Sequence, residues 1–271
     1  MVMESGTLAT KSELGTVTPK GYRSVNPCYA IIPAAGSSRR MGQHKLLLPW
    51  PGGGQQPGIS TNDLGPSTNH SVPSTRYSGP ETQPAFASRT VIDRVLESWT
   101  TSCVAETFIV VRSDDLALCE ACRRWPVTIV YPDKPTRDMK ESICIGLKAL
   151  IDRHVIDPGA GCFIAPADLP TLSSRVINCL IEARSDIRSI RLPRFGTTLE
   201  TSISGHPALV PWEWMGEIFS LEPQHGVDVL IKRHAQEYVL FPQELAVSDI
   251  DTLADYQSAY ARATRNPKRD S

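Results

Sequence analysis

Between Tyr29 and Arg184 the chain alternates short β-rich runs with amphipathic helical ones, and this alternation limits its fold more than any other feature. The β-rich runs lie at 29–32, 107–111, 127–131 and 162–165, and the helical runs at 91–100, 114–124, 141–153 and 173–184. A helix between successive strands lets the chain cross over and pair the next strand parallel to the last, covering the sheet as it does so. The pattern therefore predicts an α/β fold, a three-layer sandwich around a mostly parallel sheet. After Asp186 the rhythm loosens. Strands are expected at 189–193, 207–210 and 239–241, and helices at 226–234 and 252–263, which makes the sheet mixed. No repeat of fixed period is present.

Two stretches stand outside this rhythm. Residues 1–26 are rich in Ser, Thr, Gly and Lys without apolar periodicity, so burial cannot offset the entropy of ordering them, and a disordered tail is expected. Residues 51–87 hold 12 Gly or Pro, 9 Ser or Thr and only three charges, the composition of a surface insertion. The expected organisation is a tail at 1–26, one domain at 27–264 carrying the insertion at 51–87, and a second tail at 265–271.

Charge and cysteine content exclude several classes. The 28 Lys and Arg nearly balance 29 Asp and Glu, leaving a net charge of −1. The field of the whole molecule therefore favours neither nucleic acid nor an anionic membrane, and an anionic ligand must be held locally. There is no apolar run of membrane-spanning length and no signal-peptide pattern, so a cytoplasmic protein is expected. The seven cysteines are an odd number scattered among apolar segments, which predicts reduced and mostly buried thiols. Cys119 and Cys122 have CxxC spacing, yet they sit in a helical run with no second pair, and core-facing positions are the expected reading.

The loop after the first strand carries the chemistry. Tyr29-Ala-Ile-Ile-Pro33 runs into Ala34-Ala35-Gly36-Ser37-Ser38-Arg39-Arg40-Met41-Gly42-Gln43-His44-Lys45. Small residues let the backbone N–H groups approach an anion, and Arg40 and Lys45 add positive charge, so the composition is that of a phosphate cradle. Neither the Walker A pattern nor the GxGxxG dinucleotide fingerprint is present, which argues against a Rossmann oxidoreductase.

Ala34 to Lys45, followed by Leu46-Leu47-Leu48-Pro49-Trp50, resembles the signature loop of the MobA-like nucleotidyltransferases, in particular the molybdenum cofactor cytidylyltransferase (MocA-like) branch. Three further segments agree in order. Pro166-Ala-Asp168-Leu-Pro170-Thr-Leu172 resembles the family's Gly-Asp-Met-Pro segment, Gly205-His206-Pro207 its Gly-His-Pro, and Asp249-Ile-Asp251-Thr252 its closing Asp-Ile-Asp-Thr. The resemblance implies a Rossmann-like nucleotidyltransferase fold and a Mg²⁺-dependent transfer of a nucleotidyl group, CMP from CTP in preference to GMP from GTP, to molybdopterin, with release of pyrophosphate. A molybdoenzyme apoprotein is a further implied partner.

Carried over residue by residue, the resemblance assigns Ala34, Ala35, Gly36, Ser38, Arg40, Lys45 and Ser142 to the nucleotide and His206 to the acceptor. It assigns the metal to Asp168, with Asp251 as a second ligand, and makes Arg40, Lys45 and Asp168 the catalytic residues. Two positions depart from the family pattern. Ala167 stands where a glycine is usual, and Asp138 replaces the glycine of Gly-Met-x-x-Ser, where with Glu141 it suits a helix cap. Ser173 is the expected cap of the following helix, and Thr252 with Asp255 forms the capping-box pattern of the last one. Two other readings remain open: an accessory protein that binds nucleotide or cofactor without turnover, and a nucleotidyltransferase acting on a sugar or polyol phosphate.

Overall fold

The computed structural model describes residues 26–36, 44–51, 89–183 and 188–265. The expected tail at 1–26, apart from Asn26, and the insertion apart from Pro51 lie outside these residues, as do Ser38, Arg40 and the last six residues.

The strands are β1 (Cys28–Pro33), β2 (Glu106–Val110), β3 (Thr128–Val130), β4 (Gly161–Ile164), β5 (Ile190–Phe195), β6 (Ile203–Ser204), β7 (Ala208–Pro211) and β8 (Gln236–Phe241). They form one sheet in the order β3-β2-β1-β4-β7-β5-β6, with β8 paired to β5. β1 to β4 are mutually parallel, β7 runs antiparallel to both β4 and β5, and β8 is parallel to β5. The helices are α1 (Val91–Thr100), α2 (Leu116–Arg123), α3 (Met139–Arg153), α4 (Ser174–Glu182), α5 (Trp212–Met215), α6 (Val227–Arg233) and α7 (Leu253–Arg265).

The central strands β1 and β4 are buried on both faces because a helical layer covers each side, whereas β3 at the sheet edge is only half-buried. β1 is Cys-Tyr-Ala-Ile-Ile-Pro with every residue buried, the continuous apolar run that a central parallel strand requires. Ala30 and Ile32 join Val95, Leu96 and Trp99 of α1 and Ile177 of α4 in one core layer. Tyr29 and Ile31 join Ile143, Leu147 and Leu150 of α3 in the other. Gly146 lets α3 lie directly on the sheet, since a Cβ there would sit 2.7 Å from the Ile31 side chain.

Helix starts follow local chemistry. Thr90 and Asp93 form a complete capping box for α1. Asp138 accepts from the Glu141 N–H at 2.8 Å, which confirms its expected role as cap of α3. Thr252 and Asp255 bond reciprocally before α7. Ser173 corrects one expectation: it holds the N-cap position of α4, but its buried hydroxyl makes no capping bond. All seven cysteines are free, and burial pushes the Cys122 thiol up to about 12, as suits a core residue rather than a redox pair.

The second half holds elements that the sequence pattern missed. β6 is a two-residue strand folded back on β5, α5 is a single turn following Pro211, and β8 begins three residues before its expected start. β6 and α5 are too short to show in a periodicity scan, and the first residues of β8 alternate too weakly. Among the described residues, no helix is long and apolar enough to cross a membrane.

Candidate active site

From β1 the chain moves outward to β2 on one side, whereas β4 lies on the other, so the loops leaving β1 and β4 diverge and open a crevice at the carboxyl ends of the strands. The crevice is a cleft of about 730 Å³ whose lining includes Ala34, Ala35, Gly36, Lys45, Ser142, Asp168, His206 and Asp251. The structure thus brings together the predicted site residues that it describes. Ser38 and Arg40 lie outside the described residues.

Three chain segments meet on the β4 side. A short 3-10 turn, Lys45–Leu47, aims the Lys45 ammonium into the cleft, and Leu46 buries its side chain beneath. Lys45 Nζ contacts Asp168 Oδ2 and donates to the Ile250 carbonyl at 3.0 Å and to Asp251 Oδ1 at 3.4 Å. The segment carrying Asp251 is held by backbone: the Ile250 N–H donates to the Asp168 carbonyl at 3.1 Å, and the Ser248 N–H to Thr171 Oγ1 at 3.0 Å. The Leu172 carbonyl at the far end of the Asp168 loop accepts from Ser98 Oγ at 2.7 Å and from buried Arg94 of α1 at 3.3 Å. Sequence reasoning had no signal for these anchors, because a buried Arg on a helix carries no local pattern that tells which carbonyl it meets.

The donor set suits a hard cation. Asp168 and Asp251 supply carboxylate oxygens and Ile250 a carbonyl, and Asp168 Oδ1 is buried without a hydrogen-bond partner. Among the described residues, no group of three or more His, Cys, Asp or Glu side chains gathers to hold a metal. A metal here would therefore complete its shell with ligand and water oxygens, as Mg²⁺ does at phosphate sites.

On the β1 side one expectation needs refining. The Ala34 N–H is committed to the Val110 carbonyl at 2.8 Å, so Ala34 lines the cleft as surface and gives no phosphate donor. Ala35 and Gly36, the next described residues of the loop, also line the cleft. Among the described residues, nothing lies within 4 Å of where a Gly36 Cβ would be.

Toward β3, Thr136, Arg137, Asp138 and Ser142 form the opposite wall. The buried Ser142 hydroxyl donates to Thr136 Oγ1 at 3.0 Å and holds the turn ahead of α3. Glu141 accepts from the Arg137 N–H at 2.7 Å, so its carboxylate closes the turn from outside.

His206 stands on the β7 side. Its ring is exposed to the cleft but surrounded by protein on its other sides. That partial burial holds its pKa below the usual histidine value against the opposing pull of the Asp168 and Asp249 carboxylates. The lowered pKa favours the neutral ring, which can donate from one nitrogen and accept at the other.

Comparison with known proteins agrees with this fold. The sequence profile of the MobA-like NTP transferase domain matches residues 73–238, more than half of the chain; Ser142, Asp168 and His206 fall inside the match, and the 34–45 loop and Asp251 outside it. No curated protein sequence matches the chain significantly. Among solved structures, a nucleotidyl transferase from Methanothermobacter thermautotroptrophicus superposes with a TM-score of 0.62 at 17% identity, over 89% of this chain and 99% of that one. Rv0371c of Mycobacterium tuberculosis in complex with manganese gives 0.56 at 16% identity, over 88% and 100%. The CMP:2-keto-3-deoxy-manno-octonic acid synthetase complexed with CTP gives 0.57 at 11% identity, over 89% and 99%. At these identities the likeness establishes a shared fold.

Proposed function

Because the chain belongs to the MobA-like NTP transferase domain family and is a nucleotidyltransferase, we propose that it transfers CMP from CTP to molybdopterin with release of pyrophosphate. The observation that carries the reading is the convergence of Lys45, Asp168 and Asp251 at the mouth of the crevice between β1 and β4, with His206 beside them. An oxygen of the acceptor phosphate attacks the α-phosphorus, and the bond from that phosphorus to the bridging oxygen of the β-phosphate breaks.

Two anions must approach for this to occur, so the work of the site is charge neutralisation and alignment. Lys45 meets the triphosphate as a point charge, while Ala35 and Gly36 offer N–H groups along its path. Arg40 adds a planar fork for paired phosphate oxygens. Asp168, with Asp251, would hold a divalent cation, Mg²⁺, which supplies Lewis-acid neutralisation of the phosphates when bound. The nucleotide extends from there toward Ser142 on the β3 side, and the acceptor lies toward His206. The preference for CTP rests on the Ala34-Ala35-Gly36 opening, and a cytidylyl synthetase bound to CTP shares the fold.

A second reading keeps the cytidylyl chemistry and changes the acceptor. Structures of 4-diphosphocytidyl-2C-methyl-D-erythritol synthases share the fold, one with a TM-score of 0.59 over 88% of this chain, which favours a polyol phosphate or sugar acid in that place. Transfer from each of the four α-labelled ribonucleoside triphosphates, with molybdopterin, sugar phosphates and polyol phosphates as acceptors, separates the readings. Labelled product from CTP and molybdopterin is expected. Product only with a polyol or sugar acceptor overturns the molybdopterin assignment, and tight nucleotide binding without pyrophosphate release from any pair would make the chain a binding protein.

A further inference from the structure

We propose that the Lys45 ammonium is the resident cation of the metal seat, so that a divalent ion takes the seat only when a triphosphate draws Lys45 away. The proposal rests on the assignment of Asp168 and Asp251 to the metal. An ammonium has three N–H donors and no acceptor, and here they meet Asp168 Oδ2, the Ile250 carbonyl and Asp251 Oδ1. Two carboxylates and a carbonyl are also the oxygen set that a hard divalent cation takes. One cluster of oxygens therefore serves two cations that cannot share it, since a divalent ion a few ångströms from a half-buried ammonium meets strong repulsion at low effective dielectric.

The exchange has a built-in order. Without nucleotide, the ammonium satisfies the carboxylates and the metal gains little by entering. A triphosphate offers Lys45 a stronger anionic partner and brings further oxygens for the metal shell. Nucleotide then raises metal affinity, and by thermodynamic reciprocity metal raises nucleotide affinity by the same factor. Lys45 thereby acts twice, as a phosphate contact and as the group that keeps the empty seat closed to free metal. The geometry that supports this reaches beyond a generic surface pair: Lys45 is pinned by the backbone of the same segment that carries Asp251, and that segment is itself hydrogen-bonded to Asp168.

Direct binding of Mn²⁺, followed by the loss of the free-ion paramagnetic signal in the absence of nucleotide, tests the exchange. Lys45→Met keeps the apolar stem and removes the charge, and it should bind Mn²⁺ at least about tenfold more tightly than wild type. Lys45→Gln, which retains a donor for the Ile250 carbonyl, should show the same direction and covers a failure of the methionine variant to fold. Adding a nucleoside triphosphate analogue with a non-cleavable α,β bridge should strengthen Mn²⁺ binding more in wild type than in either variant. Equal Mn²⁺ affinity in wild type and both variants, with binding lost in Asp168→Asn, overturns the exchange and leaves the metal assignment standing. Unchanged Mn²⁺ binding in Asp168→Asn overturns the metal assignment and the exchange with it.

Discussion

Ile250 donates its backbone N–H to the carbonyl of Asp168 at 3.1 Å, and this one bond sets a late loop beside the turn that follows β4. Its effect is to make the position of Asp251 a property of the backbone rather than of its own side chain. Asp251 needs no pattern of its own to reach the cleft; it is carried there by the residue before it.

Asp168 separates an enzyme from a binding module. Asp168→Asn keeps the side-chain shape and the backbone bond to Ile250 while removing the charge that holds a hard cation. Transfer should fall by about a hundredfold or more, of the order expected when a metal contribution of several kcal/mol is lost. The thermal midpoint should hold. Pyrophosphate release at the wild-type rate with saturating Mg²⁺ and acceptor would reduce Asp168 to a turn residue.

Lys45→Ala and Arg40→Ala should each weaken triphosphate binding without unfolding the chain, since Lys45 rests on the cleft wall and not in the core. Equilibrium binding of CTP in EDTA isolates the phosphate contacts from the metal. Affinities matching wild type in both variants would remove the phosphate cradle.

The residues on either side of the expected insertion meet at a narrow neck. The Trp50 N–H donates to the Arg89 carbonyl at 2.7 Å, Pro49 bridges Thr90, and the Tyr256 hydroxyl donates to the Pro49 carbonyl at 2.6 Å. Residues flanking the insertion are already hydrogen-bonded to each other, so a short turn can close the same gap at a small entropic cost. Replacing residues 53–87 by a Gly-Asn-Gly turn should shift the thermal midpoint by no more than a few degrees, about 1 kcal/mol or less. A large loss on calorimetry would mean that the segment packs on the domain.

Stability should fall in acid through two carboxylates. Burial by itself would raise the Asp93 pKa, but hydrogen bonds from Thr90, Trp125 and Arg124 outweigh it and hold the group below the usual carboxylate range. Burial likewise pushes the Glu106 carboxyl up, but bonds from Thr128 and His154 outweigh it and leave the group below the usual carboxylate range. A carboxylate whose folded pKa is depressed stabilises fully above its unfolded pKa, and that contribution is lost as pH falls through the folded value. The midpoint should therefore be level above about pH 5 and drop below about pH 4. Asp93→Asn should flatten the drop and cost about 2 kcal/mol near neutrality, because Arg124 and the α1 cap lose their charged acceptor. An unchanged acid profile in Asp93→Asn and Glu106→Gln would place the acid sensitivity elsewhere.

His206 should matter to the acceptor and not to the nucleotide. It lines the cleft from the β7 side, across Asp168 from the loop after β1. His206→Ala should raise the acceptor KM several-fold and leave the CTP KM within about twofold. A rise in the CTP KM alone would assign the ring to the nucleotide side.

The alternation from Tyr29 to Arg184 by itself determined the fold class, and for a local reason: strand and helix periodicities and caps such as Thr90, Asp138 and Thr252 depend on neighbours a few residues away. The loop at 34–45 suggests an anion-binding character the same way, through small residues and cations in one short run. Tertiary structure alone decided what those residues meet. It committed the Ala34 N–H to Val110, placed β6 where no periodicity marked it, began β8 three residues before its expected start, and set buried Arg94 on the Leu172 carbonyl. It also put the Lys45 ammonium on Asp168, Ile250 and Asp251. The reason is that a hydrogen bond between distant segments is set by the packing of the helices and strands between them, and a side chain carries no mark of the carbonyl or carboxylate that packing will bring to it.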